Sequence, residues 1–329
     1  MEIRTEQQLN PVADHVSALT AIVRPILQGT LYSLKGEVVE TVGGYEQVPL
    51  FMLPRLLRPG DGDCGICFEY AVHDAISRGE ASTVERVADA LKRCKVSTQD
   101  IGSILFGAEK SGAQQLIDTA AEALTSESRL MSGLRGHPVK LRRHLSTAAA
   151  AFRRQGARNG LPQSIAGLWK ADLFLGSRFD DRWVGTTVKI NPTKLEGARG
   201  LRVGIVPSQE GASDAIRIDD RRNLVVCPLP YDAAFVEVFY LAWEVVQAFL
   251  AADANLPKEV ALPMTAQRHV ARKLVARRQY AVVDVIDALA PLAQPELLRT
   301  DEELATMQSV FGGNAEQVTG VLAPRPDGL

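Results

Sequence analysis

The chain has 329 residues, 46% hydrophobic and 23% charged, with a formal net charge of −2. That balance supports one substantial core or two modest ones and excludes the disordered, collagenous and coiled-coil classes. Taken as a whole the slight acidity argues against a polyanionic partner, but the charge is unevenly spread along the chain.

The opening residues, MEIRTEQQLNPVADHV, carry acids and no apolar stretch. No apolar run reaches the roughly 20 residues that cross a bilayer. Neither a targeting signal nor a membrane partner is expected, and a cytoplasmic location follows. Cys64, Cys67, Cys94 and Cys227 fit a reducing compartment without disulfides.

In chain order, a helix is predicted over 12–27, then a turn-rich stretch, LLRPGDGD, over 56–63. Asp63 is placed to cap a helix over Cys64 to Ile76, on which Glu69 and His73, four apart, share a face. Three further helices are predicted across 83–156: TVERVADALKRC, IGSILFGAEKSGAQQLIDTAAEALTS and VKLRRHLSTAAAAFRRQ, with Ser97 and Thr98 as caps.

From Trp169 the pattern turns to strands. KADLFLG is a short apolar run, and RWVGTTVKIN alternates, with Trp183, Gly185, Thr187 and Lys189 on one side and Val184, Thr186, Val188 and Ile190 on the other. LRVGIVP and NLVVCPLP add two strands, giving a sheet of at least four, while 208–222 is polar and turn-rich. Asp232 opens an apolar helix, AFVEVFYLAWEVVQAFL, suited to burial on that sheet. Met264 to Ala290 and Asp301 to Leu322 read as helical, RHVARKLVARR forms a basic run, and APRPDGL is a frayed tail.

The charge is concentrated from Arg129 to Ala171. Nine basic residues (Arg129, Arg135, Lys140, Arg142, Arg143, Arg153, Arg154, Arg158 and Lys170) occur there without one Asp or Glu. Solvated surfaces normally intersperse acids with bases, so this segment points to a phosphate backbone. Lys140, Arg142, Arg143, Arg153, Arg154 and Arg158 are the expected DNA contacts, with Gln155, Asn159 and Gln163 able to add polar ones.

Glu69 on the first core helix, Asp172 in KADLFLG and Lys189 in RWVGTTVKIN form the chemical constellation. It resembles the PD-(D/E)xK nuclease superfamily, to which many restriction endonucleases belong. The resemblance implies an αβββαβ core, with Asp172 as the first carboxylate, Lys189 as the lysine and Glu69 as the helix glutamate. It also implies Mg²⁺ (or Mn²⁺) held by Asp172 and Glu69, water oriented by Lys189, DNA as substrate and a homodimer. Carboxylates suit such an ion, and the ion activates water and neutralises developing charge. Thr187 stands where the family has an acid, so either a backbone carbonyl or Asp180 or Asp181 has to complete the ligand set, or the relative is weakened or inactive.

The expected architecture is α/β: a central mixed β-sheet flanked by helices, with an N-terminal segment over 1–60, a nuclease-like core over 61–255 and a helical C-terminal region over 256–329. A basic helical insertion over 83–168 interrupts the core. The expected function is a Mg²⁺-dependent DNA endonuclease of restriction or phage-defence type; the alternative is a catalytically inactive DNA-binding protein on the same scaffold.

A third reading starts at Cys64-Gly-Ile-Cys67-Phe68, which resembles the papain-type Cys-Gly-Ser/Ala-Cys-Trp/Tyr signature with Ile66 and Phe68 departing from it. The resemblance makes Cys67 a nucleophile, its thiol pKa lowered in the first turn of a helix, with His137, His144 or His269 as base. Against it stands a small apolar cysteine pair buried at a helix start. Zinc at Cys64 and Cys67 lacks a second ligand pair, and Phe106-Gly-Ala-Glu-Lys110-Ser111 lacks the glycine before lysine that a phosphate loop needs.

Overall fold

The computed structural model describes residues 11–106, 113–131, 138–209, 211, 213–231, 235–256 and 262–293, leaving aside the side chains of 11–14, 113–116, 152 and 153. The Asp232 helix start, the helix over Asp301 to Leu322, the C-terminal tail, Arg135, His137 and most of the 106–111 loop lie outside the described residues.

The main helices are α1 (Pro11–Tyr32), α2 (Cys64–Arg78), α3 (Ala81–Arg93), α4 (Ala113–Ala123), α5 (Leu145–Arg153), α6 (Val236–Ala251), α7 (Thr265–Ala276) and α8 (Val282–Leu289). Asp63 caps α2 as expected, accepting from the Ile66 amide at 2.8 Å, and Gly79 closes it in the left-handed region that glycine favours.

Among the described residues eight strands form one mixed sheet: β1 (Ile101–Leu105), β2 (Arg129–Leu130), β3 (Val139–Lys140), β4 (Leu173–Ser177), β5 (Arg182–Val188), β6 (Leu201–Pro207), β7 (Arg217–Asp219) and β8 (Leu224–Leu229). The spatial order is β1-β4-β5-β6-β8-β7. β1, β4 and β5 pair antiparallel, β5, β6 and β8 run parallel, and β7 returns antiparallel on β8. β2 pairs parallel with the first two residues of β5 and carries β3 on its other side.

Three expectations across 83–156 are corrected. Residues 101–105 form a strand rather than the start of a helix, and the helix begins only at Ala113. The strand is buried on both faces: Leu105 enters one core while Ile104 and Phe106 enter the other, and a run buried on both sides loses the alternation that marks strands. Val139 and Lys140 pair with β2, so α5 is confined to 145–153. Ser97 caps no helix; its hydroxyl accepts from the Gln99 amide in the turn before β1.

Each face of the sheet carries its own core. On one face Leu105, Leu173, Leu175, Val184, Val188, Val203, Ile205 and Val225 pack under α1, α2, α3 and α6 to α8. On the other, Phe106, Phe174, Trp183, Leu201 and Val226 pack under α4, α5 and the short turns that follow. The predicted alternation in β5 holds, with Trp183 on the second face and Val184 and Val188 on the first.

Connections fix where the end of β5 lies. Between β5 and β6 there is only a three-residue 3₁₀ turn, Pro192–Lys194, capped by Asn191. β6 also approaches very closely, since a Cβ on Gly185 would lie 2.2 Å from the Gly200 carbonyl oxygen. Among the described residues no helix is long and apolar enough to cross a membrane.

Candidate functional site

Glu69 sits mid-helix in α2, on the face pressed to the sheet beside Phe68 and Val72, and is 5% exposed. A carboxylate so placed is costly unless a cation or donors meet it. Lys189, one residue beyond β5, meets it: its Nζ lies 3.3 Å from Glu69 Oε1 and 2.9 Å from Asp172 Oδ2.

Asp172 is held by backbone on both sides. Its amide donates to the Thr186 carbonyl and its own carbonyl accepts from Phe106, each at 2.9 Å, locking it between β5 and the end of β1. Its Oδ2 accepts three hydrogen bonds, from Thr187 Oγ1 (3.0 Å), the Val188 amide (2.8 Å) and Lys189 Nζ (2.9 Å). The Lys189 amide in turn donates to the Ile205 carbonyl, so β6 positions the lysine. Residues 69, 172 and 189, distant in sequence, thus meet at one end of β5.

Burial pushes the Asp172 carboxyl up, while Lys189, the Val188 amide and Thr187 pull the other way. For Lys189, burial alone would lower the ammonium, but Asp172 and Glu69 override it and hold the pKa above the ordinary lysine value. Lys189 is therefore a fixed cation and a hydrogen-bond donor rather than a general base.

The carboxylates offered as substitutes for the acid missing at Thr187 lie elsewhere. Asp180 and Asp181 form the turn between β4 and β5, at the opposite end of β5, and Arg182 and Val188 stand six positions apart along the strand, about 20 Å. Asp181 is committed there, accepting from Thr125 Oγ1, Ser128 Oγ and Trp183 Nε1. Thr187 contributes its hydroxyl to Asp172 instead of a carboxylate.

The basic segment divides between the two ends of β5. Arg129 and Lys140 lie on β2 and β3 at the start of β5, with exposed Arg142 and Arg143 following. Arg158 and Lys170 lie toward Asp172: the Arg158 guanidinium stacks 3.5 Å from the Trp169 ring centre, and Lys170 pairs with Glu196. Arg154 is exposed, and the Arg153 side chain lies outside the described residues. The run lacks acids in sequence but not in space: Glu127 reaches Lys140 at 2.6 Å and Glu196 reaches Lys170.

Of the two readings of Cys67, the structure bears out the buried apolar cysteine and not the activated nucleophile. Its side chain is fully buried, contacting the Thr30 hydroxyl and the Ile26 carbonyl, each at 3.5 Å. Burial pushes the thiol far up, and Thr30 offsets this only in part. Desolvation has overridden the helix dipole. Cys64, half-buried, is pushed up to about 11, also by burial. Among the described residues no histidine contacts either thiol.

As a cation site the centre offers two carboxylates, Asp172 and Glu69. Among the described residues no group of three or more His, Cys, Asp and Glu side chains is arranged to hold a metal. Two carboxylates are nevertheless the side-chain complement that Mg²⁺ ordinarily takes, with water or phosphate oxygens filling its other positions. The donor set fits such an ion in kind, and the same two acids already bind the Lys189 ammonium. Compared with family models, curated proteins and solved structures, the chain matches none.

Proposed function

We propose that the chain is a nuclease of the PD-(D/E)xK kind, a Mg²⁺- or Mn²⁺-dependent DNA endonuclease of restriction or defence type, with its centre at Glu69, Asp172 and Lys189. What carries the reading is the convergence of two of those side chains, the Glu69 and Asp172 carboxylates, on the ammonium of the third, Lys189, at the end of β5. Exposed arginines on the same protein supply the electrostatic means to hold a phosphate backbone.

On this reading Asp172 and Glu69 would hold the divalent ion, which when bound supplies Lewis-acid activation of water and neutralises phosphate charge. Lys189, kept protonated by its two acids, donates to a phosphate oxygen or to the attacking water. The Val188 amide and the Thr187 hydroxyl fix the Asp172 carboxylate, so its orientation does not depend on the substrate. The chain departs from the family pattern at Thr187 and in the β5–β6 connection, where a 3₁₀ turn stands and no α-helix.

A second reading, DNA binding without cleavage, is favoured by the three donors already gathered on Asp172 Oδ2. Incubating supercoiled plasmid with the protein and Mg²⁺ or Mn²⁺, beside Asp172→Ala and Lys189→Ala, separates the two. Cutting that both substitutions abolish supports the nuclease; cutting that survives both removes the proposed centre; binding without cutting selects the second reading.

A further inference from the structure

Lys140, Arg129 and Arg182 are direct cross-strand partners on β3, β2 and β5. Register partners share a face, and the next row, Val139, Leu130 and Trp183, turns into the second core. The three cations therefore turn to the other face, where Arg129 and Arg182 are exposed. At the usual strand spacing they form a row about 10 Å long.

Like charges directly opposed on neighbouring strands destabilise a sheet, so the row calls for compensation. The protein supplies only part of it. Lys140 has Glu127 at 2.6 Å, whose carboxylate also feels the charges of Arg129 and Arg143, and Arg182 has Asp180 at 3.7 Å, while Arg129 makes no ion pair of its own among the described residues. Asp181, the other acid nearby, is turned to Thr125, Ser128 and Trp183. The exposed Arg142 and Arg143 follow directly and add to the same excess.

We propose that the Lys140–Arg129–Arg182 row is a second phosphate-backbone contact that grips duplex DNA away from the scissile position. The inference rests on the nuclease reading and adds a footprint to it. Arg182 in the row and Lys189 stand seven positions apart along the chain of β5, about 23 Å. At a rise of 3.4 Å per nucleotide of a strand, that is about seven nucleotides, so a duplex shorter than that reaches one contact and a long one reaches both.

The test uses the full-length protein without divalent metal and labelled hairpin duplexes of about 4 and about 24 base pairs, one shorter and one longer than that footprint. Wild type is expected to bind the longer duplex more tightly. In Arg129→Gln/Arg182→Gln that advantage disappears, and the slope of log affinity against log salt falls by about two, one for each lost phosphate contact. Arg129→Lys/Arg182→Lys, which keeps both charges, restores the slope. The Gln variant melts at or above the wild-type temperature, because it relieves a like-charge row; a marked drop contradicts that row.

Wild-type affinity and slope in the Gln variant overturn the strip, and leave the nuclease reading standing if plasmid cutting still requires Asp172. Wild type that binds neither duplex, or binds phosphatidylserine vesicles in their place, overturns both.

Discussion

Removing the cation that two buried acids share tests the centre without any substrate. Lys189→Met keeps the length and apolar stem of the side chain but leaves Glu69 and Asp172, 5% exposed each, without their common partner. Breaking a buried ion pair by deleting one member costs about 3–5 kcal/mol. The Lys189 side chain is 33% exposed, so water screens part of that, and a loss of about 2–3 kcal/mol in unfolding free energy at pH 7 is expected.

The pH dependence of this variant carries a sign. Burial already raises the Asp172 carboxyl, and without the ammonium it rises further. A carboxyl whose folded pKa exceeds its unfolded value binds more protons in the folded state, so Lys189→Met should gain stability relative to wild type as pH falls from 7 toward 5. Mg²⁺ or Mn²⁺ should also stabilise the variant by taking the ammonium's place. The assay is urea denaturation at two pH values with and without metal. A variant that unfolds like wild type under all four conditions refutes the claim that Lys189 neutralises these acids.

Other outcomes follow from the same geometry. Burial, opposed by Asp74 and aided by Arg178, lowers the His73 imidazole to about 4, and its Nδ1 lies 3.0 Å from Ser103 Oγ. The unfolded state then binds the extra proton between pH 6.5 and 4, so about 3 kcal/mol of stability present above 6.5 is lost on acidification, and His73→Gln should flatten that loss in a denaturation series. Iodoacetamide should leave Cys67 unmodified in the native protein and label it after denaturation, as read by mass spectrometry; rapid native labelling of Cys67 would contradict its burial. Gly185→Ala, which drives a methyl into the Gly200 carbonyl, should cost about 3 kcal/mol or more, read as a lowered melting temperature.

What could be read from the sequence was what local chemistry decides. Asp63 announced α2 because a cap is a short-range device, and the runs that became β4, β5, β6 and β8 were bounded by turns or proline. β1 was hidden because both its faces are buried, and β2 and β3, two residues each, are too short for any period to show. At the candidate site, the family resemblance singled out Glu69, Asp172 and Lys189, and the structure places the three in contact.

The sequence carried no sign that Thr187 and the Val188 amide bind the same oxygen as Lys189, because that depends on the register of β4 against β5. Nor did a segment free of carboxylates reveal that Glu127 and Glu196, both outside it, come to Lys140 and Lys170. Its adjacency to Asp172 in sequence holds in space for Lys170 and Trp169, whereas Arg129 and Lys140 lie a strand's length away.

The most direct measurement is the rate of supercoiled plasmid cleavage in Mn²⁺ by wild type and by Asp172→Asn, which removes a charge while keeping the shape of the side chain. Wild type should convert the plasmid to nicked and linear forms, and Asp172→Asn should be slower by at least about a hundredfold. Equal rates for the two proteins would contradict a nuclease centred on Glu69, Asp172 and Lys189.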